Sequence, residues 1–246
     1  VEGCGLLHLG ASDWLAVVPV IPRHSDPLFA RRAELSRTHI VYSDDGGVSW
    51  REVSQLPYYS AVPFMHDGVV YLFGFVGGTV FRNDDLFLVR STDKGLTWSA
   101  PTRLFEGHFW NCHTGMVLRD NRLYWAVDDL SFGDPVFRGP CVVIGDLSQD
   151  LLDERAWRMS NPVPAPGIPE MLRDPLDTSG WSDYRSRQHR FGKYLEPNVI
   201  DVYGRLRVLC AVRKTGVCGV LDVTDDGSSA DLSFTQYHPM PGGQLK

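Results

Sequence analysis

No run of apolar residues in this 246-residue chain is long enough to cross a membrane. The longest, such as Trp14–Ile21, stop far short of the roughly 20 residues a spanning helix needs. Basic residues are in deficit: 24 Lys and Arg stand against 30 Asp and Glu, and the net charge of −6 is dispersed in both signs. That balance argues against a nucleic-acid partner. There is no Cys-x-x-Cys pair and no regular cysteine spacing among Cys4, Cys112, Cys141, Cys210 and Cys218. The five are read as small core residues, although Cys210 and Cys218 could face each other across a hairpin. No metal-ligand pattern stands out, so no metal and no cofactor is expected. No signal peptide is visible in a chain that starts at Val1. Helical periodicity is missing too, with one turn over Gln149–Ala156 as the exception.

What the chain does have is a repeated turn. Ser43-Asp-Asp-Gly-Gly-Val-Ser-Trp50 and Ser91-Thr-Asp-Lys-Gly-Leu-Thr-Trp98 both read Ser-x-Asp-x-Gly-x-Ser/Thr-Trp, and they begin 48 residues apart. Each follows a strand-like run, Thr38–Tyr42 and Leu86–Arg90. The chemistry is that of a tight hairpin turn. A short carboxylate accepts N–H groups across it, glycine supplies φ > 0, and the closing Trp packs its broad apolar face alongside. These residues are expected to build the fold and to do no chemistry. The pattern resembles the Asp-box, or BNR repeat, of the sialidase-type β-propellers.

The spacing lies in the range of propeller blades, and the rest of the chain divides accordingly. Blade one reads Gly5–Gly10, Trp14–Val20, Thr38–Tyr42 and Trp50–Val53. Blade two reads Ala61–Met65, Val69–Phe75, Leu86–Arg90 and Ser99–Leu104. Blade three has Thr114–Leu118, Arg122–Val127 and Cys141–Gly145, with Asp146–Arg155 in place of the box before Trp157. Blade four has Val199–Val202, Arg205–Val212, Val217–Val223, a degenerate box at Thr224–Gly227 and Leu232–Gln236. Short alternating, β-branched runs punctuated by Gly, Asn and Asp support strands throughout. The expected fold is therefore all-β: one sialidase-type propeller domain with blades near 1–57, 58–108, 109–165 and 194–240, four antiparallel strands in each. Propellers of this type have six or seven blades, so the chain is read as part of one. A genuine four-bladed domain is the alternative.

Long connections at Pro22–Arg37, Val76–Asp85, Asp128–Gly139 and Pro162–Lys193 all belong to the same end of the blades, opposite the short turns. Binding and catalysis gather on such loops. Eight residues before the second residue of each inner turn stand Gly5, Ser60, His113 and Glu196, which are equivalent positions at the axial mouth. The return strands reach the same mouth at Arg23, at Asp128-Asp129 and at Arg213. Tyr184, Tyr194 and Trp110 offer aromatic faces nearby. The expected site pairs His113 and Glu196 as catalytic groups, with Arg213, Arg23, Asp129 and Tyr194 binding substrate. That set suits acid–base chemistry on an anionic sugar. Plainer roles remain open: a hydrogen-bonded structural His, a Glu that caps the start of its strand, and an Arg paired with Asp222 or Asp201.

Glu196-Pro-Asn-Val-Ile-Asp-Val-Tyr-Gly204-Arg-Leu, ending at Arg213, resembles the sialidase stretch of Glu, strand, Gly turn, strand and Arg. The stretch Asp150-Leu-Leu-Asp153 with Trp157 and Ser160-Asn161 is similar to bacterial sialidase-like proteins. In that family the Glu pairs with a Tyr nucleophile, and the Arg is one of three that hold the substrate carboxylate. The resemblance implies a secreted or periplasmic glycoside hydrolase acting on terminal acidic sugars of glycans, with Glu196 and Arg213 in those roles. The first Arg of the family has no counterpart in Val1–Leu6, and Asp26 is the nearest candidate for its acid–base Asp. The Tyr and the third Arg would lie in later blades, beyond Lys246. His113 fits a related branch better, the propeller lyases that cleave uronic-acid polymers. A glycan-binding or protein-interaction propeller without catalysis is the third reading.

Overall fold

The computed structural model describes residues 4–20, 22, 27, 31–75, 85–110, 114–130, 139–164, 166, 194–212 and 217–240. The chain falls into two compact units, Val1–His113 with Asp150–Glu154, and Thr114–Gln149 with Arg155–Lys246. Each unit holds two antiparallel sheets, each built on four strands that pair in sequence order.

In the first unit one sheet runs β1 (Gly5–Gly10), β2 (Asp13–Val20), β3 (Arg37–Ser43) and β4 (Arg51–Leu56). The other runs β5 (Ser60–His66), β6 (Val69–Phe75), β7 (Leu86–Ser91) and β8 (Thr102–Phe105). Leu15, Val17 and Ile40 from one sheet meet Ala61 and Leu72 of the other, and Tyr58 from the connection between them, in a shared core. An α-helical turn, Arg32–Leu35, the one such turn among the described residues, was not expected from the sequence.

The two repeated turns make nearly the same hydrogen bonds. Asp45 accepts from the Ser49 N–H (2.9 Å), the Ser49 hydroxyl (2.6 Å) and the Ser43 hydroxyl (2.7 Å). Asp93 does the same with Thr97 and Ser91. These bonds favour the charged form, led in each case by the Ser49 or Thr97 hydroxyl. Asp45 titrates well below the carboxylate range, and Asp93 is lowered to about 2. The turns then diverge. Trp50 donates to its own Gly47 carbonyl, whereas Trp98 donates to the Ser54 hydroxyl of the other sheet, which itself donates to the Gly95 carbonyl (2.5 Å). Lys94 pairs with Asp13 across the same two sheets. The second turn is thus a clamp between sheets. Gly95 has φ +84°, and a Cβ there would come within 2.8 Å of Leu15.

After the short β9 (Phe109–Trp110), the second unit opens with β10 (Met116–Arg119), β11 (Arg122–Asp129), β12 (Gly139–Asp146) and β13 (Trp157–Met159), preceded by a 3₁₀ turn at Glu154–Ala156. The last sheet runs β14 (Tyr194–Val202), β15 (Arg205–Val212), β16 (Cys218–Asp225) and β17 (Ala230–His238). β15 alternates strictly, burying Leu206, Val208, Cys210 and Val212 and exposing Arg205, as a strand with one core face must. β12 is buried along nearly its whole length, which its Val-Val-Ile run suits. Inner hairpins close through Asp67-Gly68, Asp120-Asn121 and Tyr203-Gly204, all with φ > 0, the backbone of two-residue hairpin loops.

Register settles one expectation. Cys210 lies opposite Gly219 and Cys218 opposite Ala211, so the two thiols are on opposite faces of the sheet and stay unbonded. The degenerate box also departs from its expected form. Asp226 accepts from Ser228 and Ser229, two and three residues on, instead of four as in the repeated turns. Asp225 turns inward.

Candidate active site

β14 starts five residues earlier than its apolar run predicts. Tyr194 and Leu195 already pair with Val212 and Ala211, and pairing resumes at Asn198 opposite Leu209. Two residues, Glu196 and Pro197, therefore face one, Cys210, in a β-bulge. Pro197 has no N–H to give to the ladder, so a break at this point is the natural outcome. Glu196 takes φ +50°. Every other non-glycine residue with positive φ lies in a turn: Ala11, Asp67, Lys94, Asp120, Asn121 and Tyr203. Glu196 alone, among the described residues, has it inside a strand. It also precedes a proline, which disfavours helical backbone at that position. Backbone strain of this kind, of order 1–3 kcal/mol, gathers where geometry serves function.

Asn198 closes the bulge. Its Nδ2 donates to the Glu196 carbonyl (3.0 Å), and its Oδ1 accepts from the Gly115 N–H (3.2 Å). The preceding Thr114 hydroxyl accepts from Trp125 Nε1 (3.1 Å). The segment just before β10 is therefore held from two sides.

At the C-terminal end of β11, Asp128 is fully buried and Asp129 half-buried. Burial pushes the Cys141 thiol well up, and the charges of Asp129 and Asp128 add to it. The Cys210 thiol is raised by burial first and then by Asp128. Asp128 thus acts electrostatically on the residue opposite the Glu196 bulge. Both strand ends lie away from the Asp120-Asn121 and Tyr203-Gly204 turns, on the side where the long connections leave.

The turn side of the same unit carries a different cluster. Asp225, with 3% of its side chain exposed, accepts two bonds from Arg158 (2.6 and 2.7 Å), one from Arg122 (3.1 Å) and one from the Tyr124 hydroxyl (2.8 Å). Burial pulls its pKa up, but Arg158, the Gly227 N–H and Tyr124 outweigh it and hold the carboxyl below its usual value. Arg158, Arg122 and Tyr124 all donate to Asp225 from within the protein, so this cluster holds the fold together.

Of the residues the sequence singles out, His113, Arg213 and Arg23 lie outside the described residues, as do Asp26 and Tyr184. Glu196 and Asp129 stand at strand ends on the expected side. Tyr194 does not offer a face to a sugar: it is fully buried, its ring packed where a Cβ on Gly219 would come within 2.3 Å. A phenol in that position is core, and burial drives its pKa strongly upward. Asn198 was missed. Its signal was present in the sequence, as a polar residue right after Glu-Pro where strand alternation was expected to begin. Among the described residues, no group of three or more His, Cys, Asp or Glu could hold a metal ion. No helix among them is long and apolar enough to cross a membrane.

No protein-family model and no curated protein matches the chain. Solved structures do. The Hadza microbial sialidase Hz136 aligns over 97% of this chain and 47% of its own, with 16% identity and a TM-score of 0.62. The α-L-arabinofuranosidase from Lactobacillus brevis aligns over 96% of this chain and 75% of its own, with 12% identity and a TM-score of 0.57. The α-L-arabinofuranosidase Arb93A from Fusarium graminearum covers 96% and 65%, with 13% identity and a TM-score of 0.56. The chain thus spans about half the length of the sialidase it matches. At these identities the likeness establishes the fold: four-stranded antiparallel blades of a propeller of the kind these glycosidases use.

Proposed function

We propose that this chain is part of a carbohydrate-active propeller, and specifically of a glycoside hydrolase that removes terminal acidic sugars from glycans. The reading rests above all on Glu196, a carboxylate set on strained backbone at the loop-bearing end of β14. Its Ser-x-Asp-x-Gly turns and the Glu196-to-Arg213 stretch support the sialidase-like branch.

In this reading Glu196 and His113 divide the proton transfers of hydrolysis. One takes a proton from the attacking group and the other gives one to the leaving glycosidic oxygen, while the bond from the anomeric carbon to that oxygen breaks. Arg213, with Arg23, pairs with the sugar carboxylate through two parallel hydrogen bonds that an ammonium group could not reproduce. Asp129 accepts from sugar hydroxyls.

Fluorogenic glycosides of N-acetylneuraminic acid, glucuronic acid and L-arabinofuranose test this directly, with uronate polymers alongside. The acidic glycosides should be turned over, and Glu196→Gln should lower kcat by roughly 10²- to 10⁴-fold. Arg213→Lys should weaken acidic substrates by roughly tenfold or more and leave neutral ones alone. Release of unsaturated uronate products, with no hydrolysis, would move the chain to the lyase branch. Full activity in Glu196→Gln would remove the site.

A further inference from the structure

We infer that Asn198 is a positioning residue, whose single amide ties the bulge carrying Glu196 to the backbone just ahead of β10. The inference deepens the reading above and rests on it.

Within the bulge, the Asn198 Nδ2 donates to the Glu196 carbonyl at 3.0 Å. The other end of the same amide takes the Gly115 N–H at 3.2 Å, two residues after His113 in the chain. These bonds leave the amide only one workable orientation. Rotated end for end, it would set its NH₂ against an N–H and its oxygen against a carbonyl. Nothing crowds Gly115: a Cβ there would meet no atom within 4 Å. Hydrogen bonds hold that backbone, from Asn198 on one side and through Thr114 to Trp125 on the other. Left-handed backbone ahead of a proline is unfavourable on its own. The Asn198 bond is a specific interaction that favours it, and thereby fixes where the Glu196 side chain leaves the strand. Asn198 need not touch substrate to do this.

Two variants separate the two ends of the amide. Asn198→Ala removes both bonds. Asn198→Asp keeps an acceptor for Gly115 but puts an oxygen against the Glu196 carbonyl. In crystal structures of both, Glu196 should relax to negative φ. The Gly115 amide should lose its protection from hydrogen exchange in Asn198→Ala and keep it in Asn198→Asp. On whichever glycoside the wild type hydrolyses, kcat should fall roughly tenfold or more in both, with KM little changed. A general loss of stability would instead speed exchange throughout and would not distinguish Ala from Asp. Glu196 keeping its left-handed backbone in both variants, or an unchanged kcat in both, would overturn the inference. If Asn198→Ala does not fold, the φ of Glu196 in Asn198→Asp decides. An inactive wild type would sink the glycosidase reading, while the crystallographic result would still settle whether Asn198 holds the bulge.

Discussion

Single side chains divide into those that hold a turn and those that neutralise a buried charge. Asp93 belongs to the first kind. Its folded pKa of about 2 lies below the ordinary carboxyl value of 3.8. The stability it contributes is therefore present above pH ~4 and lost as the pH falls through about 2. Thermal melts between those limits should show Asp93→Asn losing less stability on acidification than the wild type, and melting a few degrees lower at neutral pH. Activity should not change. Asp225 belongs to the second kind. Replacing it with Ala would leave Arg158 and Arg122 facing an interior without their counter-charge, at a cost of about 3–5 kcal/mol. Denaturant unfolding measures that loss, and a cost near zero would mean that water solvates the two guanidinium groups.

Within the last sheet, close packing explains what propensity alone would not. Gly219 on β16 leaves room for the Tyr194 ring of β14, and a methyl group there has nowhere to go because the ring cannot move without disturbing its own core. Gly219→Ala should destabilise by about 1–3 kcal/mol through overpacking, read as a shifted denaturation midpoint. Gly145, where a Cβ would come within 2.5 Å of the Trp157 ring, should behave alike. A Gly204→Ala control at a turn with open space around it tests backbone conformation only, since its φ is +80°. The same sheet carries the bulge at Glu196, so its first strand both fills the core through Tyr194 and presents the candidate catalytic carboxylate two residues later.

For the whole chain, neighbour-to-neighbour pairing means that each sheet can form from a contiguous stretch of sequence. A cluster of buried residues lies within each unit. Native-state hydrogen exchange should therefore find the slowest amides in the middle strands of each sheet, β2, β3, β6 and β7 in one unit and β11, β12, β15 and β16 in the other. Faster exchange there than in the outer strands β4 and β17 would contradict the packing described.

Strand order and hairpin turns were legible in the residues because they are local. Alternation and positive-φ turn residues located β1, β6 and β15 to the residue, and the repeated Ser-x-Asp-x-Gly motif carried its own hydrogen-bond scheme. The register count eight residues back from each inner turn also reached Glu196. Three things depended on contacts between distant segments. The Tyr194 ring, polar-tipped and next to a loop, looked available in the sequence, but Gly219 from 25 residues away makes its place in the core. Cys210 and Cys218 looked like a cross-strand pair until a one-residue offset in register put them on opposite faces. Glu196 became more than a residue ahead of a proline only when the ladder resumed at Asn198 and left it in a bulge. Local sequence determines which residues can form a strand or a turn; which face they show, and under what strain, depends on partners the chain meets only once it is folded.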